Sequence, residues 1–160
     1  MPDWITHIAV AWILCTVLSF RYKEFTPANT AIVLVGALIP DIIKLGLVGQ
    51  YFGFNFNEII TPIHIPIGSF IIAGMFSLLF SDRKMVFLFL SFGVITHYAL
   101  DLLLVGQGMY LFFPFYWGQY QLELVPTDSF YITIVALALA MVVYLILQIK
   151  KRSIKDYNNN

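Results

Sequence analysis

Charged side chains are scarce in this sequence. Asp, Glu, Lys and Arg together make up 11% of the residues, whereas 60% are hydrophobic. A soluble domain is roughly 25% charged, so this composition excludes an ordinary soluble protein and favours a membrane protein. The nine Lys and Arg residues form no basic stripe of the kind that phosphate backbones attract, and we therefore expect no nucleic-acid partner.

Cysteine is almost absent as well. Cys15 is the single cysteine, which excludes an intramolecular disulfide, and its position in an apolar segment is typical of a small packing residue. The sequence also lacks a soluble domain and a long linker. We expect one helical transmembrane domain over residues 1–152, followed by a polar cytoplasmic tail over residues 153–160.

What the chain does contain is a series of apolar segments separated by clusters of charged residues. A helix that crosses a bilayer needs about 20 such residues. We therefore predict an all-α fold, an integral membrane bundle of about five transmembrane helices. The predicted helices run approximately from Trp4 to Phe20, Asn29 to Gly49, Thr61 to Phe80, Met85 to Val105 and Ser129 to Ile149.

Basic residues are concentrated at one end of these predicted helices. All of them except Lys44 follow helix 1, precede helix 4 or follow helix 5. The loops between helices 2 and 3 and between helices 4 and 5 contain no Lys or Arg. The positive-inside rule then predicts a multi-pass protein of the inner membrane, with the amino terminus outside and the carboxyl terminus in the cytoplasm.

Five ionisable side chains interrupt the apolar segments: His7, Asp41, His64, His97 and Asp101. An isolated charge near the centre of a bilayer costs at least ~2.5–3.5 kcal/mol, so such residues are usually paired, bound to metal or placed in a polar cavity. The predicted topology puts all five in the outer part of the membrane. Histidine and aspartate are also the ligands that divalent metals, zinc above all, commonly use.

His97 and Asp101 are four residues apart, so they project from the same face of a helix. They are candidate metal ligands, since imidazole nitrogen and carboxylate oxygen both bind zinc near 2.0–2.2 Å. The alternative is a His–Asp hydrogen bond that only stabilises helix packing.

Asp41 and His64 both lie beside prolines. Pro40 precedes Asp41 and favours a kink that can open a polar pocket, while Pro62 and Pro66 flank His64 and favour a broken helix start. Asp41 is either a metal ligand or the partner of Lys44, its i+3 neighbour. Lys44 is also a candidate catalytic residue, because its ammonium could hold an anionic group such as phosphate.

Aromatic residues crowd the segment from Gly106 to Asp128. They are explained either as an aromatic belt at the membrane–water interface or as a lid over the metal site. The residues concerned are Tyr110, Phe112, Phe113, Phe115, Tyr116, Trp117 and Tyr120.

Several short motifs together resemble a known family. They are Trp4-Ile5-Thr6-His7, Ile39-Pro40-Asp41, a histidine beside a helix start, His97-x-x-x-Asp101-Leu102-Leu103, and a later segment from Gly108 to Pro114-Phe115. This pattern resembles the small membrane-bound metal-dependent hydrolases, a LexA-regulated inner-membrane family of some bacteria, over most of residues 1–117. The order of the ligands is also similar to that of the helical zinc-dependent phospholipase C and nuclease group.

The resemblance implies a role for each ionisable residue. Asp41, His64, His97 and Asp101 would surround one zinc ion, and Asp101 would bridge to a second metal also touched by His7. Two positions depart from the family pattern. Ile43 stands where members often carry a second Asp, and only His64 is present from a His-Arg-Gly-x-Thr-His-Ser stretch.

We therefore expect a membrane-embedded, metal-dependent hydrolase that acts on an ester or phosphoester of a membrane lipid or another amphiphile at the extracytoplasmic face. In this hypothesis His7 and Lys44 are the catalytic residues, His7 handling protons. The alternatives are a non-catalytic membrane protein that binds or transports a metal ion or proton, and a structural scaffold. The oligomeric state stays open.

Overall fold

The computed structural model describes residues 4–42, 44, 51–53, 61–103, 108–125 and 130–158. These residues confirm the all-α prediction, since they contain no β-sheet and a single isolated β-bridge between Met109 and Tyr120. The α-helices are α1 (Trp4–Ser19), α2 (Pro27–Leu38), α3 (Pro66–Ser77), α4 (Arg83–Leu102) and α5 (Phe130–Asn158). Two single-turn 3-10 helices cover Pro40–Ile42 and Thr61–His64.

Short polar residues fix where two of the helices begin. The Thr26 side chain accepts a hydrogen bond from the Asn29 backbone N–H at 3.2 Å, and the Asp82 side chain accepts one from the Met85 N–H at 3.2 Å. Each satisfies a donor that the first turn of a helix leaves unpaired. Both helices therefore start two residues earlier than the apolar pattern predicts.

Prolines end one of the predicted helices and delay the start of another. The predicted second helix is wrong at residues 39–42, because α2 ends at Leu38 and the Pro40–Ile42 turn follows. Thr61–His64 is a 3-10 turn and α3 begins only at Pro66, which confirms the broken start predicted at His64 and puts the α-helix start later than predicted. Proline lacks the N–H that an α-helix needs and clashes with the preceding turn. The predicted helix ends at Gly49, Val105 and Ser129 lie outside the described residues.

Two of the described helices are long and apolar enough to cross a membrane. They are α4 and the Phe130–Lys150 part of α5, whereas α1 has 16 residues and α2 and α3 have 12 each. Twelve helical residues extend only ~18 Å, compared with a hydrocarbon core of ~30 Å. The five-span bundle therefore stays a prediction. α5 continues to Asn158, so it includes most of the segment predicted as a polar tail.

Helix α4 is the centre of the packing and contacts α1, α2 and α3. Its contact with α2 is the closest. A Cβ atom at Gly93 would lie 2.1 Å from the Val33 carbonyl oxygen, and one at Gly36 would lie 2.2 Å from that of Leu90. Glycine at both positions thus lets the two backbones meet. Cys15 is buried in the adjoining core cluster, as expected for a packing residue.

Helices α1 and α5 run in the same direction. Near their starts, the Thr6 and Thr133 hydroxyls lie 2.8 Å apart, and near their other ends the Lys150 ammonium sits 4.6 Å from the centre of the Phe20 ring. These two contacts fix the pair as parallel neighbours.

The other helices alternate in direction with respect to α4. The Ser69 hydroxyl, near the start of α3, lies 2.8 Å from the Tyr98 hydroxyl, near the end of α4. Ala37, at the end of α2, meets His97, also near the end of α4. His7 at the start of α1 lies beside Asp101 at the end of α4. Thus α1, α3 and α5 run opposite to α2 and α4.

Candidate metal centre

The structure brings the five predicted ligand residues together at one end of the bundle. His7 lies in the first turn of α1, His97 and Asp101 lie in the last turns of α4, and Asp41 and His64 lie in the two 3-10 turns. Their ligand atoms form two groups, His7 with His97 and Asp101, and Asp41 with His64 and His97. Within each group all the atoms lie within 4.8 Å of one another, and His97 belongs to both.

Asp101 faces all three histidines. Its Oδ2 atom lies 3.0 Å from His97 Nε2 and 3.9 Å from His64 Nε2, and its Oδ1 atom lies 3.5 Å from His7 Nε2. Asp101 and His7 are each 1% exposed and His97 is 0% exposed. The carboxylate is therefore removed from solvent. Its negative charge must be compensated by a proton or a cation at the neighbouring histidines.

The imidazole rings are in direct contact. The His7 and His97 rings stack with centroids 3.8 Å apart and an interplanar angle of 13°. The His64 ring meets His97 edge-on at 5.9 Å. The His97 ring is therefore in contact with the rings of both other histidines.

Backbone carbonyls orient two of the histidines. His97 Nδ1 lies 2.8 Å from the Ala37 carbonyl oxygen, and His64 Nδ1 lies 3.1 Å from that of Pro40. A carbonyl can only accept, so Nδ1 carries the proton in each ring and the neutral imidazole keeps its lone pair on Nε2. Metal-ligating histidines usually donate their second nitrogen to a carbonyl or carboxylate in this way.

Several polar atoms at the centre of the cluster are buried without an assigned hydrogen bond. Among the described residues, both Asp101 oxygens and His97 Nε2 are buried without a hydrogen-bond partner, and so is His7 Nδ1. Such atoms cost free energy unless a proton or a cation lies between them. Two ligands of one tetrahedral zinc ion lie ~3.3 Å apart, given bonds of ~2.0–2.2 Å. The separations of 3.0 and 3.5 Å around Asp101 fit that geometry.

The predicted pairing of Asp41 with Lys44 is present. The Lys44 ammonium forms an ion pair with Asp41 Oδ2, and Asp41 is 1% exposed. A carboxylate has two oxygens, so this ion pair and a ligand role for Asp41 are compatible. Lys44 and His64 are 23% and 22% exposed, which makes their side the open side of the cluster.

A family model for the YdjM inner membrane protein matches residues 1–155. The chain belongs to the YdjM inner membrane protein family. Comparisons with curated proteins and with solved structures give no match. Membership confirms the inner membrane that composition predicts, and with it the membrane part of the resemblance drawn from the sequence. Hydrolysis, zinc and the number and direction of the spans stay predictions.

The sequence did not reveal the side chains that support His64 in this YdjM family chain. The Ser69 hydroxyl donates to the Ile63 carbonyl at 2.6 Å, so its one proton is used there. The Tyr98 hydroxyl, 2.8 Å away, must therefore donate to Ser69 Oγ. This relay holds the turn that carries His64. Its only signal in the sequence is a pair of hydroxyl residues in apolar helices.

Proposed function

We propose that this inner membrane protein is a metal-dependent hydrolase acting on an ester or phosphoester of a lipid or similar amphiphile at the extracytoplasmic face. The observation that carries the proposal is the buried Asp101 carboxylate, with His97 Nε2 at 3.0 Å and no hydrogen donor between them. A transition-metal ion would satisfy these atoms. The structural alternative is a proton on His97 Nε2, which would pair these two atoms without a metal ion.

The proposed ligands are Asp41, His64, His97 and Asp101, with His7 beside Asp101 and stacked on His97. Imidazole and carboxylate ligands both bind zinc, which is the ion we propose. When bound, such an ion would polarise the oxygen of the scissile bond and lower the pKa of an attacking water toward ~7.

Two residues of the chain have proposed catalytic roles. Lys44 lies at the open side of the cluster, where its ammonium would hold the anionic group of a phosphoester. His7 contacts Asp101 and would accept and return a proton during the reaction. General acid–base help of this kind is worth ~10²–10⁴-fold in rate.

The proposal takes all five helices as membrane crossings, with the amino terminus outside. The alternating helix directions support it. So does the placement of Arg21, Arg83 and Lys150 at helix ends away from the metal cluster, since basic residues favour the cytoplasmic side. The cluster would then open toward the extracytoplasmic face.

A second candidate is a non-catalytic protein that binds or transports a metal ion or a proton. The near-complete burial of His7, His97 and Asp101 favours it, because a closed site retains an ion without needing access for a substrate. The partial exposure of His64 and Lys44 favours the hydrolase.

Metal analysis of the purified protein tests the ligand assignment. The wild type should hold about one transition-metal ion per chain, and His97→Ala and Asp101→Asn should lose it because each removes a central ligand. Asp82→Asn is the matched control, since it makes the same change at the other end of α4, where Asn can still cap the helix. A metal-free wild type, with all variants equally stable, would refute the centre.

Turnover assays separate the two functions. Lipid esters and phosphoesters are offered to protein loaded with zinc, manganese or iron, beside the Lys44→Gln variant. We expect hydrolysis by the wild type, and a variant that keeps its metal but loses phosphoester turnover. Metal-loaded protein that hydrolyses none of these substrates supports the second candidate instead.

A further inference from the structure

Residues 108–125, here called the aromatic segment, carry a surface that the metal centre does not use. Seven of these residues are aromatic and Glu123 is the only charged one. Phe115 is 94% exposed and Trp117 is 71% exposed. Several other apolar side chains around them are also exposed, namely Phe112, Tyr116, Leu122 and Leu124. A patch of this kind is unfavourable in water and marks a surface that contacts a membrane or another molecule.

The aromatic segment is attached to the end of α4. The Leu122 N–H donates to the Leu102 carbonyl at 2.8 Å, and the N–H groups of Leu124 and Val125 donate to the Leu103 carbonyl at 2.9 Å. These carbonyls belong to the last turn of a helix, where they would otherwise lack partners. Leu102, whose carbonyl accepts the first of these hydrogen bonds, is the residue that follows Asp101.

The two arms of the segment are also joined to each other and to the core. The backbones of Met109 and Tyr120 exchange two hydrogen bonds of 3.0 Å each, and the Met109 side chain is buried in the core cluster with Leu90 and Tyr98. The base of the segment is thus anchored, while Phe115 and Trp117 at its tip are exposed.

The position of the aromatic segment indicates that membrane lipid covers it. It begins where α4, a helix long and apolar enough to cross the membrane, ends. Arg83 begins that helix at the opposite end, which the positive-inside rule assigns to the cytoplasm. With the orientation taken in the proposed function, the segment therefore lies at the outer boundary between lipid and water. Tyrosine and tryptophan are enriched at that boundary because their rings are apolar and their polar atoms reach water.

We propose that the tip of the aromatic segment, residues 112–117, inserts into the outer leaflet of the membrane at the level of the headgroups. Phe115 and Trp117 contact lipid, and the anchored base transmits this position to the end of α4 beside Asp101. Insertion itself does not depend on hydrolysis. For the proposed hydrolase, it brings the metal cluster to the depth at which the polar bonds of outer-leaflet lipids lie.

Fluorescence quenching in lipid nanodiscs tests this insertion. The chain has three tryptophans, so Trp4→Phe with Trp12→Phe leaves Trp117 as the only one. We expect bromine atoms near the top of the lipid acyl chains to quench Trp117 more strongly than bromine near the chain ends. Aqueous iodide should quench it only weakly.

The matched control keeps Trp12 as the only tryptophan. Trp12 lies in the middle of α1, so bromine deep in the bilayer should quench it most. Strong quenching of Trp117 by iodide, without quenching by brominated lipid, would place the tip in water and overturn the proposal. Protection from both quenchers would show that protein covers the tip and would overturn it as well. Neither result depends on metal content or turnover, so this proposal and the proposed function can fail separately.

Discussion

At the residue scale, the hydroxyl of Ser69 connects helix packing to the histidine–aspartate cluster. It accepts from Tyr98 and donates to the Ile63 carbonyl, one residue before His64. Ser69→Ala would leave both partners unsatisfied in a buried place, which costs about 1–3 kcal/mol. We expect a lower unfolding temperature and weaker zinc binding, measured by thermal unfolding and by metal titration.

Ser77→Ala is the matched control for that prediction. Ser77 is also buried in α3, but its hydroxyl donates to Gly74 within the same helix and contacts no part of the cluster. It should lower stability less and leave zinc affinity unchanged. Equal zinc affinities for the two variants would contradict the role assigned to Ser69.

The residue types and their predicted depth in the membrane were enough to predict which ionisable side chains meet. Their orientation was not predictable in the same way. The carbonyls of Ala37 and Pro40, which set the proton positions on His97 and His64, become visible only once the end of α2 is known. Every residue has a carbonyl, so the sequence carries no pattern that marks these two.

At the element scale, the contact between α2 and α4 depends on the absence of side chains. Gly93→Ala would put a methyl group 2.1 Å from the Val33 carbonyl oxygen, and only movement of the backbone could relieve that overlap. Overpacking of this kind costs about 1–3 kcal/mol. We expect a lower unfolding temperature and a loss of metal, because the same contact joins His97 to Ala37.

Gly74→Ala provides the comparison. Its new methyl group would meet only the Phe87 ring at 3.7 Å, which is an ordinary contact. Alanine is also the better helix former, by up to about 1 kcal/mol. Gly74→Ala should therefore be neutral or stabilising. Two equally stable variants would show that the close approach at Gly93 does not constrain the helices.

The locations of the apolar segments predicted the helices, but hydropathy did not predict all of their ends. A window of about 20 residues averages over a single proline, whereas one missing N–H is sufficient to end a helix. This is why α2 ends at Leu38 and α3 begins at Pro66. Both interruptions lie at the histidine–aspartate cluster, and they place Asp41 and His64 in short turns.

At the scale of the whole molecule, the predicted topology can be tested by thiol labelling. Replacing Cys15 with Ala removes the only cysteine. Single cysteines are then introduced at Tyr51, which is 88% exposed, and at Lys23, which is also exposed. On intact cells whose outer surface is accessible, a membrane-impermeant maleimide should label the cysteine at 51. It should label the cysteine at 23 only after the inner membrane is permeabilised. Labelling of both positions from the same side would exclude a crossing between them.

His97 also limits how many ions the cluster can hold in full coordination. With Nδ1 donating to the Ala37 carbonyl, the neutral ring has one lone pair, and that pair can bind one metal. The two three-residue groups that share His97 therefore compete for it. An ion among Asp41, His64 and His97 leaves only His7 and Asp101 for any second ion. If the proposed metal binds, a single backbone carbonyl thus restricts His97 to one of the two groups.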